Sequence, residues 1–94
     1  RDCIVYYGTI VLYDANVALK VIKRCRELGY SIYRIEAFIL RGNTIQPFME
    51  HSRIYDQTTN TMSNIEVYDD ATRFISERIK LEYLYEIMYD TGEQ

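Results

Sequence analysis

The chain has 94 residues, of which 48% are hydrophobic and 27% charged, a composition typical of one folded domain and not of a disordered chain. Its longest nearly apolar stretch, residues 3–13, is too short for a membrane-spanning helix, which needs about 20 apolar residues. Residues 1–49 hold seven Lys or Arg and four acidic residues, a balance of +3, whereas residues 50–94 hold four and ten, a balance of −6. This asymmetry disfavours nucleic acid as a partner and is compatible with a basic protein partner. We therefore expect a single cytoplasmic domain over residues 1–94 that does not enter a membrane.

Thiol and imidazole groups are too few for a metal centre. The chain has two cysteines, Cys3 and Cys25, and one histidine, His51, whereas a structural zinc site uses four such ligands. Cys25 falls on the apolar face of a predicted helix, where a free thiol behaves as a small hydrophobic group. We expect both cysteines to be reduced, and we expect no metal and no cofactor.

The first third of the chain predicts a strand followed by a helix. Residues 3–13 are rich in Val, Ile and Tyr, which is typical of a strand, with Gly8 as a bulge or a point of close backbone approach. Asp14 or Asn16 caps the helix, and Gly29 ends it. The apolar face of this helix consists of Ala15, Ala18, Leu19, Ile22, Cys25 and Leu28.

The middle third predicts two strands and a long loop. Residues 30–40 alternate as a strand does, with Tyr33, Ile35, Ala37 and Ile39 on the core face and Arg34, Glu36 and Phe38 on the other. A turn over residues 41–44 leads into an edge strand over residues 45–49, because Pro47 has no N–H to donate. Residues 50–66 are polar and predict a long loop, and loops of this length are usually functional or mobile.

The last third predicts a second helix and a final strand. Asp69 and Asp70 open the helix at the positive end of its dipole, and its inner face consists of Ala71, Phe74, Ile75, Arg78 and Ile79. Residues 81–89 alternate as a strand, although one long helix through Tyr89 is an alternative because no residue before it breaks the helix. The order β-α-β-β-α-β predicts an α+β two-layer sandwich, in which two helices cover one face of a mainly antiparallel four-stranded sheet. A ferredoxin-like topology would satisfy this order.

Catalytic residue types are sparse. His51 is the single strong general base near neutral pH, and its neighbours in sequence are Glu50, Arg53, Tyr55 and Asp56. Such a trio of His, Arg and carboxylate could run proton-transfer chemistry, but these residue types often meet by chance in a polar loop. Each of the four glycines is isolated, so no phosphate-binding loop is present. We expect no enzymatic activity.

Ten tyrosines without a tryptophan are the most unusual feature of the composition. They cannot all be buried, because each buried hydroxyl needs a hydrogen-bond partner. A sheet face that mixes tyrosines with carboxylates suits protein binding, in which tyrosine is enriched at hot spots. Glu36 and Glu86 among the tyrosines would repel phosphate, so we expect no nucleic-acid partner.

Residues 10–90 resemble the immunity proteins of bacterial toxin systems, in particular those that protect against anticodon-cleaving colicins and contact-dependent toxins. The similarity rests on a helix ending in RELGY, a strand IYRIEAF, a hairpin, and the segment IQPFMEHS. An acidic-opened helix, DDATRFISERI, and an aromatic strand, YLYEIMY, follow. The resemblance implies a protein without enzymatic activity that binds its cognate toxin, usually a nuclease, and blocks the substrate site.

An acidic inhibitor surface would mimic the phosphates that a basic nuclease cleft binds. We expect the contacts to be charge-complementary carboxylates and aromatic anchors that exclude water. The predicted partner-binding residues are Glu36, Glu50, Tyr55, Asp56, Glu66, Tyr83, Tyr85 and Glu86. Asp69 and Asp70 are assigned to helix capping instead. We expect a monomer or a weak dimer.

Two other functions fit parts of the pattern. A small-molecule-sensing regulatory domain of ferredoxin-like topology would act as a dimer with a ligand pocket at its interface. An RNA-binding domain of the four-stranded type would need a Lys/Arg-Gly-aromatic run on its stacking strands, and the chain has none.

Overall fold

The sheet of this protein has six strands, and both of its helices pack on one face. The structure, a computed structural model, describes residues 4–55 and 61–92, with the backbone alone at residues 5–7. The elements are β1 (Ile4–Tyr7), β2 (Ile10–Tyr13), α1 (Ala15–Leu28), β3 (Ser31–Arg41), β4 (Thr44–Pro47), a first 3-10 helix (Met49–His51), β5 (Arg53–Ile54), α2 (Asn64–Glu77), a second 3-10 helix (Ile79–Leu81) and β6 (Leu84–Asp90). The predicted α+β class and the antiparallel sheet are confirmed.

The final strand lies in the middle of the sheet. The strand order is β1-β2-β6-β3-β4, with β5 pairing beside β3, and every pairing is antiparallel. A ferredoxin-like sheet has its last strand at an edge, so the predicted ferredoxin-like topology is wrong. The strand prediction for residues 81–89 is confirmed, and the alternative of a helix through Tyr89 is wrong.

The first predicted strand is a hairpin. Tyr7 pairs with Ile10, which leaves Gly8 and Thr9 as a two-residue loop between β1 and β2. Gly8 has a φ of 63°, a conformation that glycine adopts without the steric cost of a Cβ. The bulge predicted at Gly8 is therefore a turn. The residues on both sides of it have strand composition, so the sequence pattern did not separate the two strands.

Helix α1 begins and ends close to the predicted residues. Asp14 is its N-cap and accepts a hydrogen bond of 2.9 Å from the Val17 amide, whereas Asn16 lies inside the first turn. Gly29 ends the helix in the left-handed conformation. Leu28, predicted on the core face, is 44% exposed and Val17 is buried instead, because the apolar stripe rotates around a helix of 3.6 residues per turn.

Helix α2 begins five residues earlier than Asp69, which was predicted to open it. Ser63 is the N-cap, and it forms a capping box in which Glu66 accepts a hydrogen bond from the Ser63 amide at 3.1 Å. Asp69 and Asp70 lie inside the helix, so the prediction that they cap it is wrong. Part of the predicted long loop forms the first 3-10 helix and β5.

A β-bulge changes which residues of β3 face the core. The pairing with β6 shifts between Ile32 and Arg34, so Tyr33 is the extra residue and is 40% exposed, although it was predicted on the core face. Ile35 and Ala37 are fully buried, as predicted.

The main core lies between the two helices and the inner sheet face. It contains Ala15, Ala18, Ile22, Cys25, Ile32, Ile35, Ala37, Tyr55, Val67, Tyr68, Ala71, Phe74, Ile75, Tyr85 and Ile87. Cys25 is a free thiol whose pKa burial raises, and Cys3 lies outside the described residues. Ile79, predicted on the inner face of α2, is exposed on the second 3-10 helix. Neither described helix has the length and apolar character needed to cross a membrane.

Candidate interaction surface

The face of the sheet that the helices do not cover carries two of the predicted contact residues side by side. Ile35 pairs with Ile87 and Ala37 with Tyr85, and all four side chains belong to the core under the helices. The residues that alternate with them therefore point away from the helices. We define the open sheet face as Arg34, Glu36, Phe38, Leu84, Glu86 and Met88, which form the pairs Arg34–Met88, Glu36–Glu86 and Phe38–Leu84.

Two carboxylates lie directly opposite each other at the centre of the open sheet face. The Glu36 side chain is only 17% exposed, and Nε of Arg34 lies 3.0 Å from its Oε1. This Nε is buried and makes no hydrogen bond within the described residues, so the ion pair is close but poorly aligned. Burial, together with the charge of Glu36, raises the pKa of Glu86, and the charge of Arg34 offsets only part of that rise. The positive charge of Arg34 therefore does not balance the charges of the two partly buried carboxylates.

The apolar members of the open sheet face are Phe38, Leu84 and Met88, not tyrosines. Phe38 is buried, and Leu84 and Met88 are half-buried. Tyr85, a predicted anchor, points to the other side and is fully buried in the core. Burial raises the pKa of Tyr85 to about 12, and its hydroxyl has no hydrogen-bond partner among the described residues. Tyr85 therefore offers no ring to a partner in this structure.

Tyr83 belongs to an aromatic cluster at the start of β6. Its ring lies 5.5 Å from the ring of Phe48 and 5.0 Å from that of His51. Arg78 holds His51 in place, because its Nε donates a hydrogen bond of 3.2 Å to His51 Nδ1 while its guanidinium stacks 3.9 Å over Phe74. Tyr83 is half-buried, so one edge of its ring remains accessible.

Tyr55 is a core residue rather than a surface anchor. It is 4% exposed, and its hydroxyl donates a hydrogen bond of 2.6 Å to Oδ2 of Asp70. Arg53 and Arg73 also contact Asp70, at 3.2 and 3.1 Å. Burial raises the pKa of Asp70, but the Tyr55 hydrogen bond and the two arginines outweigh it, so the pKa is lowered overall. Burial and the interaction with Asp70 raise the pKa of Tyr55.

This network also separates the residues whose types suit proton-transfer chemistry. Arg53 and Tyr55 bind Asp70, whereas His51 binds Arg78. The sequence placed Arg53, Tyr55 and His51 close together, but the chain turns at β5 and directs them into two different clusters.

The remaining predicted contacts lie apart from the open sheet face. Glu50 is exposed on the first 3-10 helix, and Glu66 is held in the capping box of α2. Asp56 lies outside the described residues. The structure therefore brings together Glu36 and Glu86 of the eight predicted residues, and adds Arg34 as their shared cation. In the part of the chain that the structure describes, no three His, Cys, Asp or Glu side chains are grouped so as to hold a metal ion.

Comparison of the chain with protein-family models, with curated proteins and with solved structures found no match in any of the three.

Proposed function

We propose that the chain is a protein-binding inhibitor of the immunity type, which covers a basic surface of its partner with the open sheet face. The observation that carries the proposal is the pair Glu36–Glu86, two like charges held directly opposite each other on the sheet face that the helices do not cover. Like charges in this arrangement destabilise a sheet. A folded protein that retains such a cost at its surface is typical of a binding site.

A cationic side chain from a partner would relieve this repulsion. An arginine placed between the two carboxylates would bind both, and the half-buried side chains of Leu84 and Met88 would exclude water around it. Interfacial charge pairs of this kind contribute roughly 1.5–7 kcal/mol of coupling energy in measured complexes. Tyr83 packs against the core on the helix side of β6, so we leave it out of this contact set.

The partner class that suits this surface is a toxin nuclease with a basic substrate cleft. The balance of −6 over residues 50–94 supports this choice, since acidic inhibitors associate quickly with basic clefts through electrostatic steering. The resemblance to immunity proteins points to the same class. We place the activity in the cytoplasm, because the buried free thiol of Cys25 is typical of a reducing compartment.

Co-expression tests the proposal. The tagged chain is expressed with the product of the open reading frame immediately upstream, and the complex is isolated and its stoichiometry measured. We expect a one-to-one complex with a basic protein that stops growth when it is expressed alone. Failure to bind, with a neighbour that is not toxic, would contradict the immunity function.

Matched variants then test the surface. Glu36→Gln and Glu86→Gln should each weaken the complex by tenfold or more, since each removes one of the two charges that hold the partner's cation. Glu27→Gln makes the same charge change on α1, in the other layer of the fold, and should leave affinity unchanged. Equal effects from Glu27→Gln and Glu86→Gln would show that net charge and not the open sheet face determines binding.

A further inference from the structure

A second groove lies in the helical layer, on the opposite side of the molecule from the open sheet face. Helices α1 and α2 run antiparallel: Arg26 near the end of α1 pairs with Asp69 in the first half of α2, at 3.3 Å. Between the helices is an open groove of about 400 Å³, lined by Leu19, Ile22, Lys23, Arg26, Tyr68 and Thr72. We call it the interhelical groove.

The floor of the interhelical groove is apolar. Ile22 and Tyr68 are buried and Leu19 is half-buried. The Tyr68 hydroxyl donates a hydrogen bond to the carbonyl oxygen of Tyr30, so the ring is fixed and presents its carbons to the groove. This floor suits a large apolar group.

The rim of the interhelical groove is cationic. Lys23 and Arg26 are exposed and lie three residues apart on α1, so their side chains project from the same side of the helix. Asp69 neutralises part of the Arg26 charge. Both side chains are exposed to solvent, however, so the ion pair is weak and another anion can replace Asp69. No acidic side chain lines the groove within the described residues.

We propose that the interhelical groove binds a segment of a second protein in which a large apolar side chain stands next to a carboxylate. The apolar side chain would pack on Ile22 and Tyr68, and the carboxylate would pair with Lys23 and Arg26. A small molecule fits less well, since such ligands are 70–90% buried in their sites and this groove is open to solvent. The inference does not depend on the proposed inhibitor function: the two surfaces lie in different layers, carry opposite charges and can be occupied at the same time.

Titration of the labelled protein with short peptides, followed by amide chemical shifts, tests the proposal. The probe is acetyl-Ser-Phe-Glu-Glu-Ser-Gly-amide, with one control peptide that has Ala for Phe and another that has Gln for both Glu. We expect saturable shifts confined to residues 19–26 and 68–72 for the probe, and at least tenfold weaker binding for each control peptide. Absence of saturable shifts with the probe up to about 10 mM would overturn the proposal.

Variants separate the site from general electrostatic attraction and from self-association. Lys23→Glu should weaken binding of the probe at least tenfold, whereas Lys80→Glu, the same charge change on the second 3-10 helix, should have no effect. Thr72→Trp fills the groove and should abolish binding, with the dispersion of the spectrum showing that the variant is folded. Equal losses in Lys23→Glu and Lys80→Glu would refute the site. Self-association in sedimentation experiments that Lys23→Glu abolishes would instead assign the groove to a second copy of the chain and overturn the proposed partner.

Discussion

Replacement of Glu86 by Gln should stabilise the free protein at neutral pH. The variant keeps the size of the side chain and removes one of the two charges that face each other across β3 and β6. As a general scale, two like unit charges about 6 Å apart repel by about 3 kcal/mol at an effective dielectric constant of about 20 and by about 0.7 kcal/mol in water. Arg34, 3.0 Å from Glu36, offsets part of this repulsion. We expect a gain of about 0.5–1 kcal/mol in the free energy of unfolding, within the range of cross-strand pairs.

The gain should depend on pH in a defined direction. Burial and the charge of Glu36 raise the pKa of Glu86 in the folded state above its ordinary value of 4.5. Well below 4.5 the group is protonated in both states, so the stabilities of Glu86→Gln and the parent protein should converge. Between 4.5 and the raised pKa the folded state binds more protons than the unfolded state, so the parent protein loses stability as the pH rises. The advantage of Glu86→Gln should appear in this window and stay constant above it.

Urea unfolding monitored by circular dichroism at pH 4 and pH 7 measures both effects. For a domain of this size the gain at pH 7 corresponds to about 3–6 °C in the melting temperature. Glu27→Gln on α1 is the control, and it should show no gain at either pH. A Glu86→Gln variant that is less stable than the parent at pH 7 would refute the repulsion, and a gain of equal size at pH 4 would assign it to another cause.

Four further changes test other parts of the fold and the surface. Tyr55→Phe should lower the free energy of unfolding by about 1–3 kcal/mol, because the half-buried Asp70 carboxylate loses one of its hydrogen-bond donors; the deficit should shrink in acid, as the pH falls through the lowered pKa of Asp70. Gly29→Ala should cost about 1 kcal/mol, since its φ of 73° strains any residue with a Cβ. Ser63→Ala should cost about 1 kcal/mol through loss of the capping box. Glu50→Lys, on the exposed first 3-10 helix, should slow association with the toxin, and more so at low salt.

Three of these four changes have a control in the chain. Tyr89→Phe and Ser76→Ala remove the same atoms from exposed positions and should change the urea midpoint little. A Gly29→Ala variant as stable as the parent would mean that the end of α1 rearranges. Stopped-flow association rates for Glu50→Lys that match those of Glu27→Lys would exclude the first 3-10 helix from the interface.

Local patterns in the sequence predicted most of the elements but misplaced some boundaries. The alternation of β3 and β6 and the apolar stripe of α1 are periodic over many residues, so they were recognisable. The start of α2 was predicted at Asp69 and Asp70 because paired acids are common in the first turn of a helix. The true signal is the Ser63-x-x-Glu66 capping box. β5 is two residues long, too short for any periodic pattern.

The candidate surface could be predicted only in part, because its geometry depends on strand order. Alternation along each strand separates Glu36 and Glu86 from their core-facing neighbours, but only the placement of β6 beside β3 brings them opposite each other. The same limit applies to Tyr55, whose burial depends on α2 presenting Asp70 above β5. Such long-range pairings leave no signature in the local pattern.

The central position of β6 sets the order in which this domain can form during synthesis. β2 and β3 are both made before β6, but they do not pair with each other in the sheet, because β6 lies between them. A nascent chain that lacks residues 84–90 therefore has an unfilled place at the centre of its sheet, and its helices have no complete surface to cover. Folding must wait until β6 leaves the ribosome. A chain truncated before β6 should not fold, since it lacks a central strand and not an edge strand.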